Sequence, residues 1–235
     1  MKNNTTGKKA LVIGGARGIG AAIVQRLSQD GAAVAYTWVT RATHASGLAI
    51  QADSADPLAL AAAVDHAANT LGGLDILIYN AGILIPGDIA SYKLADVDRM
   101  YAVNVRGPFA AVQAALAHLP AGGKIITVGS IASEAAHGPG STVYGMTKAA
   151  VARMVRGLAW DLAPRGITIN DVQPGPIATD MTPGSGELAE RLRNASPQQR
   201  LGSAQEVADF VTWLALHAPD YIHGAGLKID GGFTA

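Results

Sequence analysis

The chain predicts a doubly wound α/β fold, a parallel sheet of about seven strands with helices on both faces, on three observations. Short apolar runs alternate regularly with stretches of helical period from one end to the other. The run Asp75-Ile-Leu-Ile-Tyr79 is almost continuously apolar, as a parallel strand buried on both faces requires. The first apolar run stops at a glycine-rich turn that opens directly into a helix.

Composition sets the outer bounds. With 235 residues and 49% hydrophobic content the chain can bury a large core as a single domain over residues 1–235, and no linker argues for two. Lys plus Arg and Asp plus Glu each number 18, so no net field attracts nucleic acid or an anionic membrane surface. The absence of cysteine removes disulfides, thiolate catalysis and cysteine metal sites, and no metal site is expected. Residues 1–9 are polar and have no apolar core behind them long enough for a signal peptide. Nothing later approaches a membrane span, so the default expectation is a soluble cytoplasmic protein.

Taken in order, residues 9–14 form the first strand, followed by Gly14-Gly-Ala16-Arg17-Gly18-Ile19-Gly20 and a helix to Asp30. Strand, glycine turn and helix are the context in which backbone approaches a pyrophosphate seated on a helix N-terminus. The spacing is G-x-x-x-G-x-G rather than the commoner G-x-G-x-x-G, and alone it could be a plain turn. The second strand, residues 32–37, ends where a dinucleotide's adenosine ribose lies, roughly 20 residues past such a fingerprint. From Thr37 and Trp38 to Thr43 there is no acid, but there is Arg41, with Arg17 in the glycine loop. Two arginines without a carboxylate suit a ribose bearing a 2′-phosphate, so NADP(H) is expected; either arginine could instead be a solvated surface charge.

The third strand, residues 48–52, leads to Asp53 and Ser54. Asp56-Pro57 then reads as an N-cap with proline at the first helical position, and Gly72-Gly73 ends that helix. The fourth strand finishes in Asn80-Ala81-Gly82, small residues at the strand end where open α/β sheets bind ligands. One long helical pattern over residues 94–119 is interrupted at Asn104-Val-Arg-Gly107-Pro108, which predicts a kink or bulge. Asn104 could satisfy the broken helix or act in a site. Residues 124–128 are the fifth strand, 142–163 a helix and 167–170 the sixth strand. A Thr, Pro, Gly and Ser-rich connection at about residues 180–200, around a short helix at 187–194, is a candidate substrate lid or a surface loop. Ser203-Ala-Gln-Glu206 is a capping box for the last helix, and residues 224–233 hold a final short strand.

The chemistry converges on residues 124–162. On a helix Tyr144 and Lys148 are four apart and share a face. A tyrosine phenol ordinarily titrates near ~10, and a fixed ammonium beside it favours the phenolate, so such a pair is a plausible general acid or base. Ser130, fourteen positions earlier at a strand's C-terminal end, could hydrogen-bond the oxygen that the tyrosine protonates. Alone, Y-x-x-x-K occurs by chance in many helices.

Together, the glycine loop 14–20, Asp53, Asn80-Ala81-Gly82, Asn104, Ser130, Tyr144-x-x-x-Lys148, residues 170–179 with Pro174-Gly175, and Ile229-Asp-Gly-Gly232 resemble the short-chain dehydrogenase/reductase family over essentially the full length. Within it the chain resembles 3-oxoacyl-carrier-protein-reductase-like ketoreductases, and residues 156–180 are similar to a bacterial branch that includes biofilm dispersal mediator proteins. The resemblance implies a Rossmann fold and reversible hydride transfer between NADP(H) and a small-molecule ketone or secondary alcohol. It implies that Ser130 holds the substrate oxygen, Tyr144 donates its proton, Lys148 tunes the tyrosine and holds the nicotinamide ribose, and Asn104 positions a water. Ile177 and Thr179 would bind the nicotinamide carboxamide. The family is commonly tetrameric, which implies a homotetramer.

Two departures stand out. Ile13 occupies a position where the family usually has Thr, which predicts loss of a side-chain bond that steadies the Asn80 region. The loop between Ser130 and Tyr144 is one residue longer than is common, leaving Ser133 as a substitute. Ile83, Leu84, His137, Pro139 and Met181 predict a mostly apolar pocket without a fixed cation, favouring neutral ketones. The rival expectation is a nucleotide-binding regulator that senses or sequesters a cyclic dinucleotide in the same crevice; a weaker third is a structural protein that has kept the fold.

Overall fold

The computed structural model of the chain describes residues 7–42, 46–136 and 138–235. The polar segment before residue 7 and His137, expected from the sequence to line the pocket, lie outside the described residues.

In chain order the elements are β1 (Lys9–Ile13), α1 (Gly18–Gln29), β2 (Ala33–Trp38), β3 (Leu48–Gln51), α2 (Pro57–Leu71), β4 (Ile76–Tyr79), α3 (Leu94–Tyr101), α4 (Gly107–Ala115), β5 (Lys124–Val128), α5 (Thr142–Leu162), β6 (Thr168–Pro174), β7 (Ile177–Ala178), α6 (Glu187–Ala195), β8 (Gly202–Ser203), α7 (Ala204–Leu216) and β9 (Gly226–Ile229). Seven strands form one sheet in the order β3-β2-β1-β4-β5-β6-β9, and every pairing is parallel. The chain works outward from β1 to β3 and then returns to lay β4 on the other side of β1. That reversal opens a crevice beyond the C-terminal ends of β1 and β4, where Ile13 lies opposite Tyr79.

Strand alternation divides the core into two layers. Leu11, Ile13, Leu77, Ile125 and Ile169 pack with α2, α4 and α5 on one face. Ala10, Val12, Ile78, Ile126 and Val172 pack with α1 and α7 on the other. Both faces of the central strands are covered, which is why their sequences run nearly continuously apolar.

Local signals fix the helix ends. Asp56 accepts from the N–H groups of Leu58 and Ala59 at 2.9 and 3.3 Å, and α2 ends on Gly72 in the left-handed region at φ 74°. Ser203 and Glu206 form the expected capping box on α7. Bonds from the Arg200 guanidinium, and then from the Ser203 N–H, hold the Glu206 carboxyl down to about 2.

The predicted break in the long helix is a widened π turn over Ala102–Arg106 between α3 and α4. Pro108 has no N–H, so the carbonyl of Asn104, four residues earlier, lacks its α-helical donor. Two features go beyond the sequence reading. β6 extends past Asn170 to Pro174, and β7 and β8 pair as a two-residue parallel ladder at the base of the candidate lid.

Candidate functional site

The glycine loop closes over the end of β1 because several positions have no room for a side chain. Gly14 takes φ 78°, and a Cβ there would lie 2.8 Å from the Ala81 Cα. Its N–H donates to Thr37 Oγ1 at 2.8 Å, and the Gly15 N–H donates to the Thr37 carbonyl at 3.0 Å. Thr37 therefore holds the loop and presents little of itself to a ligand. A Cβ at Gly20 would lie 2.1 Å from the Gly14 carbonyl oxygen and 2.5 Å from Asn80 Nδ2. Gly18, at φ 53°, brings the loop close to Thr179, whose methyl would lie 3.6 Å from a Cβ there. The loop, the strand end Asn80-Ala81-Gly82 and the segment after β6 thus meet over the crevice, with Ala16 and Ile19 half-buried beside the exposed Arg17.

Asn80 Nδ2 donates to the Gly14 carbonyl at 2.8 Å, and the N–H groups of Asn80 and Ala81 both donate to the Ile13 carbonyl at 3.0 Å. These bonds replace the side-chain bond that Ile13 cannot make, so the Asn80 region is tied down without it.

At the rim, Arg17 precedes α1 and lies 3.7 Å from Asp180, both side chains being about three-quarters exposed at 74% and 76%. Arg41 is exposed beyond the end of β2, and Trp38 is half-buried against the α1 layer. Asp53 is exposed and turns one carboxylate oxygen onto the Ala55 N–H at 2.9 Å. Ser54 is buried beside Tyr79 and α4, so what it can offer the crevice is backbone. Pro174 is buried, and Gly175 is packed so tightly that a Cβ would fall 2.7 Å from that of Asp230. Ile177 is buried in the small ladder, and Thr179 closes a turn with Thr182.

The titratable centre lies where β4, β5, the π turn and α5 converge. Lys148 is buried; its Nζ donates to the Val128 carbonyl at 3.0 Å and lies 5.6 Å from the Tyr144 ring centroid. Asn104, also buried, accepts from the Ile83 N–H at 2.9 Å and donates to the Ile83 carbonyl at 2.9 Å and to Thr147 Oγ1 at 3.1 Å. Thr147 passes the chain on to the Tyr144 carbonyl at 2.7 Å. Gly82 closes the group: a Cβ there would lie 3.5 Å from Lys148 Nζ and 3.6 Å from Asn104 Oδ1.

Ser130, two residues past the end of β5, caps a short 3₁₀ turn, its Oγ accepting from the Ala132 N–H at 3.1 Å. That turn packs on α5, with the Ala132 carbonyl 3.2 Å from where a Cβ on Gly145 would be. Ser133 Oγ is shut away from solvent with no hydrogen-bond partner, so the hydroxyl at the strand end is Ser130. Thr147 was missed in the sequence because its role depends on the approach of the π turn; a polar residue on the buried face of α5 was its only trace. Tyr79, whose phenol burial pushes well above the ordinary range, spends its hydroxyl on the Val103 carbonyl at 2.7 Å.

The cradle of crowded glycines fits a dinucleotide's phosphates, and Lys148, Tyr144 and Ser130 fit its reactive end. Among the described residues no group of three His, Cys, Asp or Glu side chains could hold a metal ion, and no helix is long and apolar enough to cross a membrane.

Comparison with known proteins agrees with this arrangement. A family model described as "Enoyl-(Acyl carrier protein) reductase" matches residues 14–234. The cyclic-di-GMP-binding biofilm dispersal mediator protein of Escherichia coli K12 is 40% identical over 237 residues, covering 98% of each chain. A versicolorin reductase of Emericella nidulans is 35% identical over 251 residues, covering 96% of this chain and 95% of its own. The crystal structure of a short chain dehydrogenase from Burkholderia cenocepacia in complex with NADP superposes with a TM-score of 0.94 at 43% identity, over 99% of this chain and 100% of that one.

Proposed function

The chain belongs to the short-chain dehydrogenase/reductase family of oxidoreductases, and on that premise we propose that it uses NADP(H) to interconvert a neutral ketone and its secondary alcohol. The observation that supports this reading is the buried Lys148, held on the Val128 carbonyl two residues before Ser130 and 5.6 Å from the Tyr144 ring, with Asn104 joined to the same helix through Thr147. A protein that only bound nucleotide would not need them. The Burkholderia relative's complex with NADP and the reductase name of the Emericella relative support it.

NADP(H), when bound, supplies the hydride; the chain supplies position, charge and a proton. Ser130 Oγ accepts from the Ala132 N–H, which leaves its own hydrogen to donate to the substrate oxygen, and Tyr144 gives that oxygen its proton. Lys148, held on the Val128 carbonyl, places a positive charge against the ring on which negative charge then develops. The Asn104 side chain is held by Ile83 and Thr147, and its main-chain carbonyl, which Pro108 deprives of an α-helical donor, would seat a water for reprotonation. Asp53, Ser54, Asn80, Pro174, Gly175, Ile177 and Thr179 would line the cofactor's length.

For cofactor choice, Arg17 and Arg41 are the exposed cations at the ribose end, and replacing both with Ser is expected to weaken NADPH binding about tenfold or more while leaving NADH nearly unaffected. Equal losses for both cofactors would remove the arginines from phosphate recognition. The primary experiment follows reduced-nicotinamide absorbance with NADPH and with NADH across ketones, β-ketoesters and imines. Consumption with NADPH alone supports both assignments; tight NADPH binding without consumption of any carbonyl counts against the enzyme reading.

A second reading is favoured by the Escherichia coli relative, whose name records cyclic di-GMP binding: the same crevice would sequester a cyclic dinucleotide. Its test is a titration with that nucleotide in competition with NADPH. A homotetramer is also proposed, supported by Phe109 on α4 and Met146 and Trp160 on α5, which all stay exposed in the single chain. Light scattering that returned the mass of one chain would remove it.

A further inference from the structure

Beneath the reactive groups, β5 and β6 break their own apolar pattern. Alternation assigns Thr127, Asp171 and Gln173 to the layer shared with α5, along with Ile125 and Ile169. All three are closed to solvent, at 1%, 1% and 0% exposure. Thr127 Oγ1 donates to Asp171 Oδ1 at 2.5 Å, and Gln173 Nε2 donates to Asp171 Oδ2 at 3.0 Å. The carboxylate lies directly under the site: a Cβ on Gly129 would come within 2.5 Å of both its oxygens. Gly129 joins Val128, which receives Lys148, to Ser130.

A carboxylate buried in this way needs a positive partner or a proton. The charged groups that act on it are Lys148 and Arg156 from α5; beside Arg156 stand Glu134, from the turn after β5, and Lys228 of β9, whose position pairs with Gln173. Arg156 and Lys228 already meet Glu134, at 3.7 and 2.8 Å. Lys148 is left: buried, bonded to a neutral carbonyl, and with no carboxylate in ion-pair contact among the described residues.

We propose that Asp171 is a positioning residue of this site, a buried carboxylate that is the counter-charge of Lys148 and helps hold its ammonium on the Val128 carbonyl. The inference rests on the oxidoreductase reading of Ser130, Tyr144 and Lys148. Burial pushes the Asp171 carboxyl above its ordinary 3.8, against the pull of Thr127, Gln173, Lys148 and Arg156. The folded state therefore holds that proton more tightly than the unfolded chain does. Stability contributed at low pH is lost as pH rises from 3.8 through the raised value, and Asp171→Asn escapes that loss. Gln173 Oε1 has no hydrogen-bond partner, and an amide flip would turn it toward the protonated acid, or toward the amide that Asp171→Asn introduces.

The test measures NADPH dissociation constants by cofactor fluorescence, without any carbonyl substrate, and kcat where turnover exists, both from neutral to alkaline pH. In Asp171→Asn the alkaline midpoint of both is expected to fall by about one pH unit, the direction expected when a negative charge is removed from beneath the site. Thr127→Val removes a hydrogen bond from the same trio but leaves the charge, and its midpoint is expected to stay at the wild-type value. Should Asp171→Asn fail to fold, the double variant Thr127→Val with Asp171→Val replaces the pair by apolar groups and is expected to shift as Asp171→Asn does. Unchanged midpoints in the charge-removing variants, or an equal shift in Thr127→Val, would overturn the proposal. A wild type that binds NADPH but reduces no carbonyl refutes the oxidoreductase reading, while the binding midpoints still decide the role of Asp171.

Discussion

Tyr144→Phe is expected to lower carbonyl reduction by about 10²–10⁴-fold while NADPH affinity stays close to wild type. The two effects separate because the substitution removes one oxygen and little else. Thr147 bonds to the Tyr144 main-chain carbonyl, at 2.7 Å, so the chain from Thr147 through Asn104 to Ile83 survives the change. Lys148 is anchored on Val128 and not on the phenol, so the cation proposed to hold the nicotinamide ribose keeps its place. What disappears, on the proposed mechanism, is the proton donor, and with it the step that neutralises the developing alkoxide. Parallel NADPH titration and steady-state kinetics check both halves. A Tyr144→Phe enzyme with most of its activity would take the chemistry away from this residue. If affinity fell as far as turnover, Tyr144 would be part of the cofactor seat and its catalytic role would be unproven.

Much of this was legible in the sequence because the strongest signals are periodic or covalent. Apolar strand runs alternating with helices gave the sheet and both core layers. Pro108 gave the break beside Asn104, since a missing N–H disrupts a helix in any context. The ladder of β7 with β8 was invisible, because two residues carry no period and Ile177 meets Gly202 only after the chain has made a loop of its own. The sequence showed the hydroxyl lost at Ile13 but not the main-chain and Asn80 bonds that tie the same region down. Thr37 stands at the strand end where a cofactor's ribose is expected, and in the fold its Oγ1 accepts from the Gly14 N–H. Thr127, Asp171 and Gln173 did carry a signal, three polar residues at apolar positions of buried strands. Their meaning required knowing that β5 and β6 are neighbours in register, Thr127 opposite Asp171.

The glycine loop gives the second large effect, expected for Gly20→Ala. An alanine there is a better helix former than glycine by up to about 1 kcal/mol, and Gly20 lies in the first turn of α1. Against that gain stands a methyl 2.1 Å from the Gly14 carbonyl oxygen and 2.5 Å from Asn80 Nδ2. Neither neighbour can move freely. The Gly14 N–H is bonded to Thr37 and its carbonyl accepts from Asn80, while a Cβ-sized void at Gly14 is already closed by Ala81. Overpacking of a fixed backbone costs about 1–3 kcal/mol, so the clash outweighs the helix propensity and the variant is less stable by urea unfolding. The loop must open to admit the methyl, and opening it breaks the bond from Asn80 that joins the glycine turn to the end of β4. NADPH affinity is therefore expected to fall about tenfold or more, because the backbone N–H groups no longer converge on a phosphate. Isothermal titration beside the unfolding curve reads the two effects independently. An alanine variant destabilised as expected but binding NADPH at full affinity would mean that the phosphates rest elsewhere than on this turn.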